Sequence, residues 1–259
     1  MTNIALISNL PNESLRKNGQ TIPDVQLDGR ADFLIMAGNI DVQEHGVKYA
    51  VQQSQKLELP VIYILGSQEY YGADSEPLYR KIEREIAGSE VHVLHTKSVV
   101  MSDVMFIGAT LWTDFELFGS RSRNRVLSHA AFHLEDFYNI KLEQRVFSAN
   151  LTPSISYEWH QRDKDFIQTS LAEDFAGKKV VITYHAPSMQ CIPVTEQDNL
   201  LSACHASHLD GLIKKYQPDA WFYGQSSANQ FQLGKTTIIN NPVTNSKSLE
   251  AYTPLLMQI

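Results

Sequence analysis

The sequence predicts an α/β layered fold in which a pair of mixed sheets is sandwiched by helices. Two observations lead there. Short β-branched or apolar runs recur along the chain, each ending in a polar loop, with helical patterns between them. Other runs are joined by tight turns, so antiparallel strands accompany the strand–helix units.

The first run, Ile4-Ala5-Leu6-Ile7, closes at Ser8-Asn9, and the second, Phe33-Leu34-Ile35-Met36, closes at Gly38-Asn39. A helix follows, because Val47, Val51 and Ser54 share a face with Ala50 and Leu57. The third run, Val61-Ile62-Tyr63-Ile64-Leu65, ends at Gly66. Ser98 to Met101 and Val104 to Ala109 flank Ser102-Asp103 as a hairpin. Ile155, Trp159, Phe166 and Leu171 mark a long helix before Val180-Val181-Ile182-Thr183, which ends at His185. Leu209, Leu212 and Ile213 mark another before Ala220-Trp221-Phe222-Tyr223, which ends at Gly224. The last pair, Phe231-Gln232-Leu233 and Thr236-Thr237-Ile238-Ile239, flanks a two-residue turn with glycine first, Gly234-Lys235. Continuous apolar runs of this length fit strands buried on both faces. No composition break, repeat or low-complexity segment divides the chain, so residues 1–259 are expected to form a single domain.

Composition narrows the function. The chain is 43% hydrophobic and 20% charged, as a globular protein is. A net charge of −7 argues against sequence-independent binding of nucleic acid, which depends on neutralising phosphates. No apolar stretch approaches the ~20 residues that span a bilayer, and the N-terminus lacks the basic and apolar regions of a signal peptide. Cys191 and Cys204 form no metal or disulfide motif. Two ordinary thiols and a cytoplasmic, reducing compartment are the expectation.

In open α/β sheets, functional groups gather beyond the carboxyl ends of strands. The strand ends here carry Asn9, Asn39, Ser67 with Gln68, His185, and Gln225 with Ser227. Together they describe a cleft lined by neutral amides, hydroxyls and one imidazole. Such groups hydrogen-bond a ligand but make a poor divalent-metal site, because hard cations favour carboxylates and zinc favours several His, Cys or carboxylate ligands.

The strings at these positions resemble the calcineurin-like metallophosphoesterases with their chemistry erased. Where that family has Asp-x-His, this chain has Asn9-Leu10-Pro11; for Gly-Asp it has Gly38-Asn39. For Gly-Asn-His-Glu it has Gly66-Ser67-Gln68-Glu69, and for Gly-His-x-His it has Gly224-Gln225-Ser226-Ser227. Only the His-x-Pro string is kept, as His185-Ala186-Pro187. The segment Gly108-Ala109-Thr110-Leu111-Trp112-Thr113-Asp114-Phe115 also looks like one common in a bacterial branch of the family. The resemblance runs from Ile4 to about Pro242, and it implies a four-layer α/β/β/α sandwich of two mixed sheets flanked by helices. It places the family's metal-ligand positions on Asn9, Pro11, Asn39, Ser67, His185, Gln225 and Ser227, of which only His185 matches. The catalytic histidine position falls on Gln68, which cannot protonate a leaving group. A bridged pair of dications needs anionic ligands to offset their repulsion. The expectation is therefore no catalytic residue and no cofactor, or at most one weakly held divalent metal.

Other groups carry alternatives. Asp41, Glu69 and Asp114 would rebuild a single metal site with His185, or Glu69 and Asp114 simply support loops. Arg121, Arg123 and Arg125 form a basic stretch suited to phosphate contacts, or a solvated basic loop. His205 and His208, and His129 and His133, have helical spacing, with surface or capping roles as the plain reading. Asn241-Pro242-Val243-Thr244 stands where the family branch often has Asn-Pro-Arg-Gly, and the missing Arg weakens any carry-over of substrate recognition. The reading that joins these observations is a pseudoenzyme that binds a protein partner or ligand. The alternatives are a phosphoesterase with a rewired site at His185, and a sensor of a phosphorylated small molecule or nucleotide.

Overall fold

The computed structural model describes residues 1–143, 148–225, 227–243 and 251–259; Ser226 and Thr244 of the strings above lie outside them. In chain order the elements are β1 (Asn3–Ile7), α1 (Asn12–Lys17), β2 (Phe33–Ala37), α2 (Glu44–Leu57), β3 (Val61–Ile64), α3 (Ser75–Ile86), β4 (Val91–Val93), β5 (Lys97–Met101) and β6 (Val104–Ala109). There follow α4 (Arg123–His133), α5 (Asp136–Asn139), β7 (Lys141–Glu143), β8 (Ser148–Asn150), α6 (Pro153–Ala172) and β9 (Lys178–Thr183). The last are α7 (Asp210–Tyr216), β10 (Ala220–Tyr223), β11 (Gln230–Leu233), β12 (Thr236–Ile239) and β13 (Leu255–Gln258).

One sheet has the order β13-β1-β2-β3-β4, with β13 antiparallel to β1 and the other pairings parallel. The second has the order β11-β12-β10-β9-β6-β5, with parallel strands inside and an antiparallel strand at each edge. A small ribbon pairs β7 with β8.

Strand alternation builds the layers. Ile4, Leu6, Phe33, Ile35, Ile62 and Ile64 of the first sheet pack against Phe106, Val180, Ile182, Ala220 and Phe222 of the second. Phe33 and Phe106 meet edge to face with ring centroids 5.2 Å apart, a favoured aromatic geometry. The alternate residues face outward into the other core, where Met36, Val61 and Tyr63 meet Val47 and Ala50 of α2, and Ile107, Val181 and Trp221 meet Ile167 and Leu171 of α6. Both faces of both sheets are therefore covered, which is why their strands read as continuous apolar runs rather than alternating ones. The result is the mixed α/β arrangement of two large sheets flanked by helices.

Local signals explain the ends. Thr152 caps α6 by accepting from the Ile155 amide at 3.3 Å, and Pro153 opens its first turn. Gly234, at φ +66, makes the turn between β11 and β12. The basic stretch of Arg121, Arg123 and Arg125 corrects the expectation of a loop: it is a short 3-10 turn, Ser120–Ser122, running into α4. His205 takes the capping role of the plain reading, but the helical spacing with His208 does not hold. His205 caps the 3-10 segment Leu200–Cys204, and His208 precedes α7, so no helix carries both. No helix among the described residues is long and apolar enough to cross a membrane.

Candidate functional site

The loops after β1, β2 and β3 meet at one end of the first sheet. Asn9 and Asn39 both adopt left-handed backbone, at φ 52 and φ 53, a conformation that Asn tolerates better than most residues. Asn9, Leu10, Pro11, Glu13, Ser14, Asn39 and Gln68 line a cavity of about 290 Å³.

Asn39 is held at both ends of its carboxamide. Its Nδ2 donates to the Tyr184 hydroxyl at 2.5 Å, and its Oδ1 accepts the Gln68 amide at 3.0 Å. The Tyr71 hydroxyl donates to Asp136 at 2.6 Å. Ser67 is buried beside Tyr184 and Asp136, so polar side chains cluster between Asn39 and a buried carboxyl. Burial pushes the Tyr184 phenol well above its ordinary pKa and raises that of Asp136, although Tyr71 and Ser67 hold it back. On the second-sheet side, Asn9 Nδ2 and Ser8 Oγ both donate to the Gly224 carbonyl at 2.9 Å. A side chain at Gly66 would collide with the Asn39 carboxamide, and one at Gly224 with the Ala37 carbonyl. That close approach accounts for glycine at both places.

The carboxylates that could rebuild a metal site are engaged elsewhere. Glu69 is fully buried and accepts four bonds: Ile40 N at 2.8 Å and Tyr63 OH at 2.7 Å on Oε1, Asn39 N at 3.0 Å and Gly66 N at 2.9 Å on Oε2. Asp41 takes a two-point contact from Arg16, at 2.8 and 3.2 Å, and the Val42 amide at 2.7 Å. Asp114 accepts the amides of Glu116 at 2.9 Å and His208 at 3.2 Å. All three brace loops. Among the described residues no three of His, Cys, Asp and Glu are grouped so that they could hold a metal ion.

His185 is buried, its Nδ1 3.2 Å from the Thr110 carbonyl and its ring 5.5 Å from that of Trp112. Burial lowers its pKa to about 3, so the imidazole is neutral at ordinary pH. Gln225 Nε2 meets Nδ1 of His205 at 2.5 Å, while Gln225 Oε1 is buried without a partner. Ser227 does not join the cavity. It is exposed and lines a separate hollow with Gln190, Ile192, Pro193 and Phe231.

The basic residues do not reach the cavity walls either. Arg123 is paired with Glu116 at 2.7 Å and lies 4.9 Å over the Tyr157 ring; Arg121 and Arg125 are exposed. His129 and His133 stack on α4 with centroids 4.0 Å apart, and His133 Nδ1 lies 2.8 Å from the His129 carbonyl, a local helix contact. Cys191 and Cys204 are buried free thiols whose pKa burial raises to about 12.

Sequence reasoning missed Tyr184, Asp136, His160 and Asp163. Leu111 and Trp112 sit at φ 71 and φ 46, a strained pair for non-glycine residues. Asp163 accepts the Leu111 amide at 3.0 Å, and His160 Nδ1 lies 2.8 Å from the Leu111 carbonyl, so one face of α6 clamps the turn. The available signal was His160 and Asp163 at i, i+3 on the face of α6 that also buries Ile167 and Leu171. Asp136 had none, since tertiary topology alone brings it to Ser67.

Among solved structures, the phosphopantetheinyl hydrolase PptH from Mycobacterium tuberculosis matches 93% of this chain and 89% of its own, at 14% identity and a TM-score of 0.65. The chain has the calcineurin-like metallophosphoesterase fold. A second solved structure matches it at 12% identity and a TM-score of 0.57, covering 92% of this chain and 90% of that one. TT1561 of Thermus thermophilus shares 13% identity over 92% of this chain and 88% of its own, at a TM-score of 0.49. No protein-family model matches the chain. No curated protein matches it either. Identities this low establish the fold and not the reaction. The two-metal centre of metallophosphoesterases does not fit the donors here, because Asn39 has both carboxamide atoms engaged and Pro11 has no donor atom in its side chain.

Proposed function

We propose that this protein is a pseudoenzyme: a metallophosphoesterase-like scaffold that binds a ligand or protein partner at the strand-end cleft and does not hydrolyse it. The observation that carries the reading is Asn39. At the position where the fold's catalysts have a bridging carboxylate, it donates to Tyr184 and accepts from Gln68, so neutral hydrogen bonds join the loops that ions otherwise join. Asn in place of Asp keeps the shape and removes like-charge repulsion, an exchange of function-linked strain for stability. The rewired-enzyme alternative is disfavoured because Asp41, Glu69 and Asp114 already have their oxygens occupied. Two buried free thiols suit a reducing, cytoplasmic setting.

The test is metal analysis of protein purified without chelator, together with a manganese-supplemented assay on a generic phosphodiester. We expect substoichiometric metal and turnover equal to a no-protein blank. Two stoichiometric transition metals, or manganese-dependent turnover abolished by His185→Ala, would overturn the reading.

A further inference from the structure

We propose that the 290 Å³ cavity takes an uncharged, hydroxyl-rich ligand of about monosaccharide size and discriminates against the phosphorylated form of that ligand. This deepens the binding reading above and rests on it. The argument is an inventory of what the walls present.

No Lys or Arg lines the cavity. The nearest basic residues in sequence, Arg16 and Lys17 on α1, are each committed to a carboxylate: Arg16 to Asp41 at 2.8 Å and Lys17 to Glu13 at 2.5 Å. The Arg16 pair is the stronger commitment, because Asp41 is buried and bound at two points, and releasing it would leave a buried charge unpaired. A phosphate entering here would meet the Glu13 carboxylate and neutral donors, but no cation. Charge-assisted recognition of a phosphate needs donors, and cations above all.

A cationic ligand is not called for either, since the Glu13 carboxylate already has the Lys17 ammonium. What remains is neutral and two-sided. The Gln68 carboxamide and the Ser14 hydroxyl make no side-chain hydrogen bond among the described residues, and Asn9 uses only its Nδ2, on Gly224. Gln68 offers a donor and an acceptor side by side, Ser14 offers both on one atom, and Asn9 Oδ1 accepts. Adjacent hydroxyls on a sugar or polyol are donor and acceptor at once and match such pairs. Leu10 and Pro11 supply apolar wall for the carbon face of the ring. The volume of about 290 Å³ lies just below the range of drug-sized ligand cavities, roughly 300–1,000 Å³, as suits a small ligand.

The test uses the full chain. Titration calorimetry would compare neutral hexoses, pentoses and inositol with the matching hexose 6-phosphates and with inorganic phosphate. We expect a neutral sugar or polyol to bind and the phosphorylated sugar to bind at least tenfold more weakly. Gln68→Ala, which removes no internal bond of the side chain, should weaken binding about tenfold, the change that 1.4 kcal/mol of lost contact produces. Ser14→Ala should act in the same direction. Tighter binding of the hexose phosphate than of its parent sugar, or binding of inorganic phosphate alone, would overturn this proposal and leave the binding reading standing. A neutral ligand held equally well by both variants would place its site elsewhere and also overturn it. No binding by any member of the panel would count against this proposal, and the binding reading would then fall only if no protein partner were captured either.

Discussion

The two halves of the cleft are held together differently. On the first-sheet side, Glu69 gathers the loops after β2 and β3 onto one carboxylate, and Asn39 has each carboxamide atom bonded. The polar atoms these two residues gather are paired in the way buried polar atoms usually are, while Asn12 Nδ2 on α1 is buried without a partner. The second-sheet side is less complete. Trp112 Nε1 and Gln225 Oε1 are buried without partners, and three desolvated imidazoles, His160, His185 and His205, lie on that side. The Glu69 carboxylate thus closes the first half with hydrogen bonds, while the second keeps unpaired atoms and imidazoles of depressed pKa.

The largest expected effect breaks the better-built half. Glu69→Ala leaves three backbone amides and the Tyr63 hydroxyl buried without their acceptor. At about 1–3 kcal/mol for each unsatisfied group, the loss is at least about 4 kcal/mol, most of the stability of an ordinary domain. Urea denaturation should show a collapse of the midpoint or no folded baseline. The matching change on the other half, Gln225→Leu, removes an unpartnered oxygen along with the single bond to His205. It leaves one group, His205 Nδ1, without its partner and should cost about 1–3 kcal/mol, one group against four. Equal losses for the two variants would show that the halves are not different in kind.

Acid should sharpen the same contrast from the other side. Burial holds His185 at about 3 and lowers His160 and His205 below the ordinary imidazole value. The unfolded chain therefore binds more protons than the folded one as pH drops below about 6.5, and stability falls with it. The contribution is complete above that value and is lost progressively as pH falls toward the folded-state pKa. For His185 the cost is about 1.4 kcal/mol per pH unit across the window, or about 2 kcal/mol by pH 5. Glu69 and Asp136, with raised pKa values, act in the opposite sense, so the informative measurement is a difference. The fall in Tm between pH 7.5 and pH 5 should be smaller in His185→Asn than in wild type. An identical fall in both would mean that His185 is not the group being titrated.

How much of this was legible in the sequence follows from the same physics. The strands were readable because both faces of each sheet are covered, leaving Ile4 to Ile7 or Val180 to Thr183 no polar alternation to confuse. Helix α2 was readable from its Val47 and Ala50 face. Helix α3 escaped, although Leu78 and Ile82 carry its buried face at helical spacing, because charged residues dominate the rest of it. On the cavity side, Asn9, Pro11, Asn39 and Gln68 could be named beforehand because each follows a strand whose end is marked by a polar residue. Tyr184 could not, since a tyrosine ending an apolar run looks like core until its hydroxyl is seen on Asn39. Ser227 was misplaced because the turn after Gly224 carries it outward to another hollow.

The smallest expected effect tests the proposal that the cleft does not hydrolyse phosphoesters. Gln68→His restores the residue type that protonates a leaving group in this fold's catalysts. The Gln68 amide already donates to Asn39 Oδ1, which fixes the backbone at that position, and the side chain makes no internal bond that the change would break. The variant should fold like wild type, within the ±0.5 kcal/mol usual for such substitutions. It should also remain indistinguishable from a no-protein blank on a phosphodiester with manganese. A general acid contributes only when a nucleophile is generated and the developing charge is held, and residues that act as one unit are strongly non-additive. Asn9, Pro11, Asn39, Ser67 and Gln225 still supply no anionic ligand after the change. Measurable turnover by this single variant would mean that the cleft holds a metal after all, and the comparison between its halves would have to be drawn again around that ion.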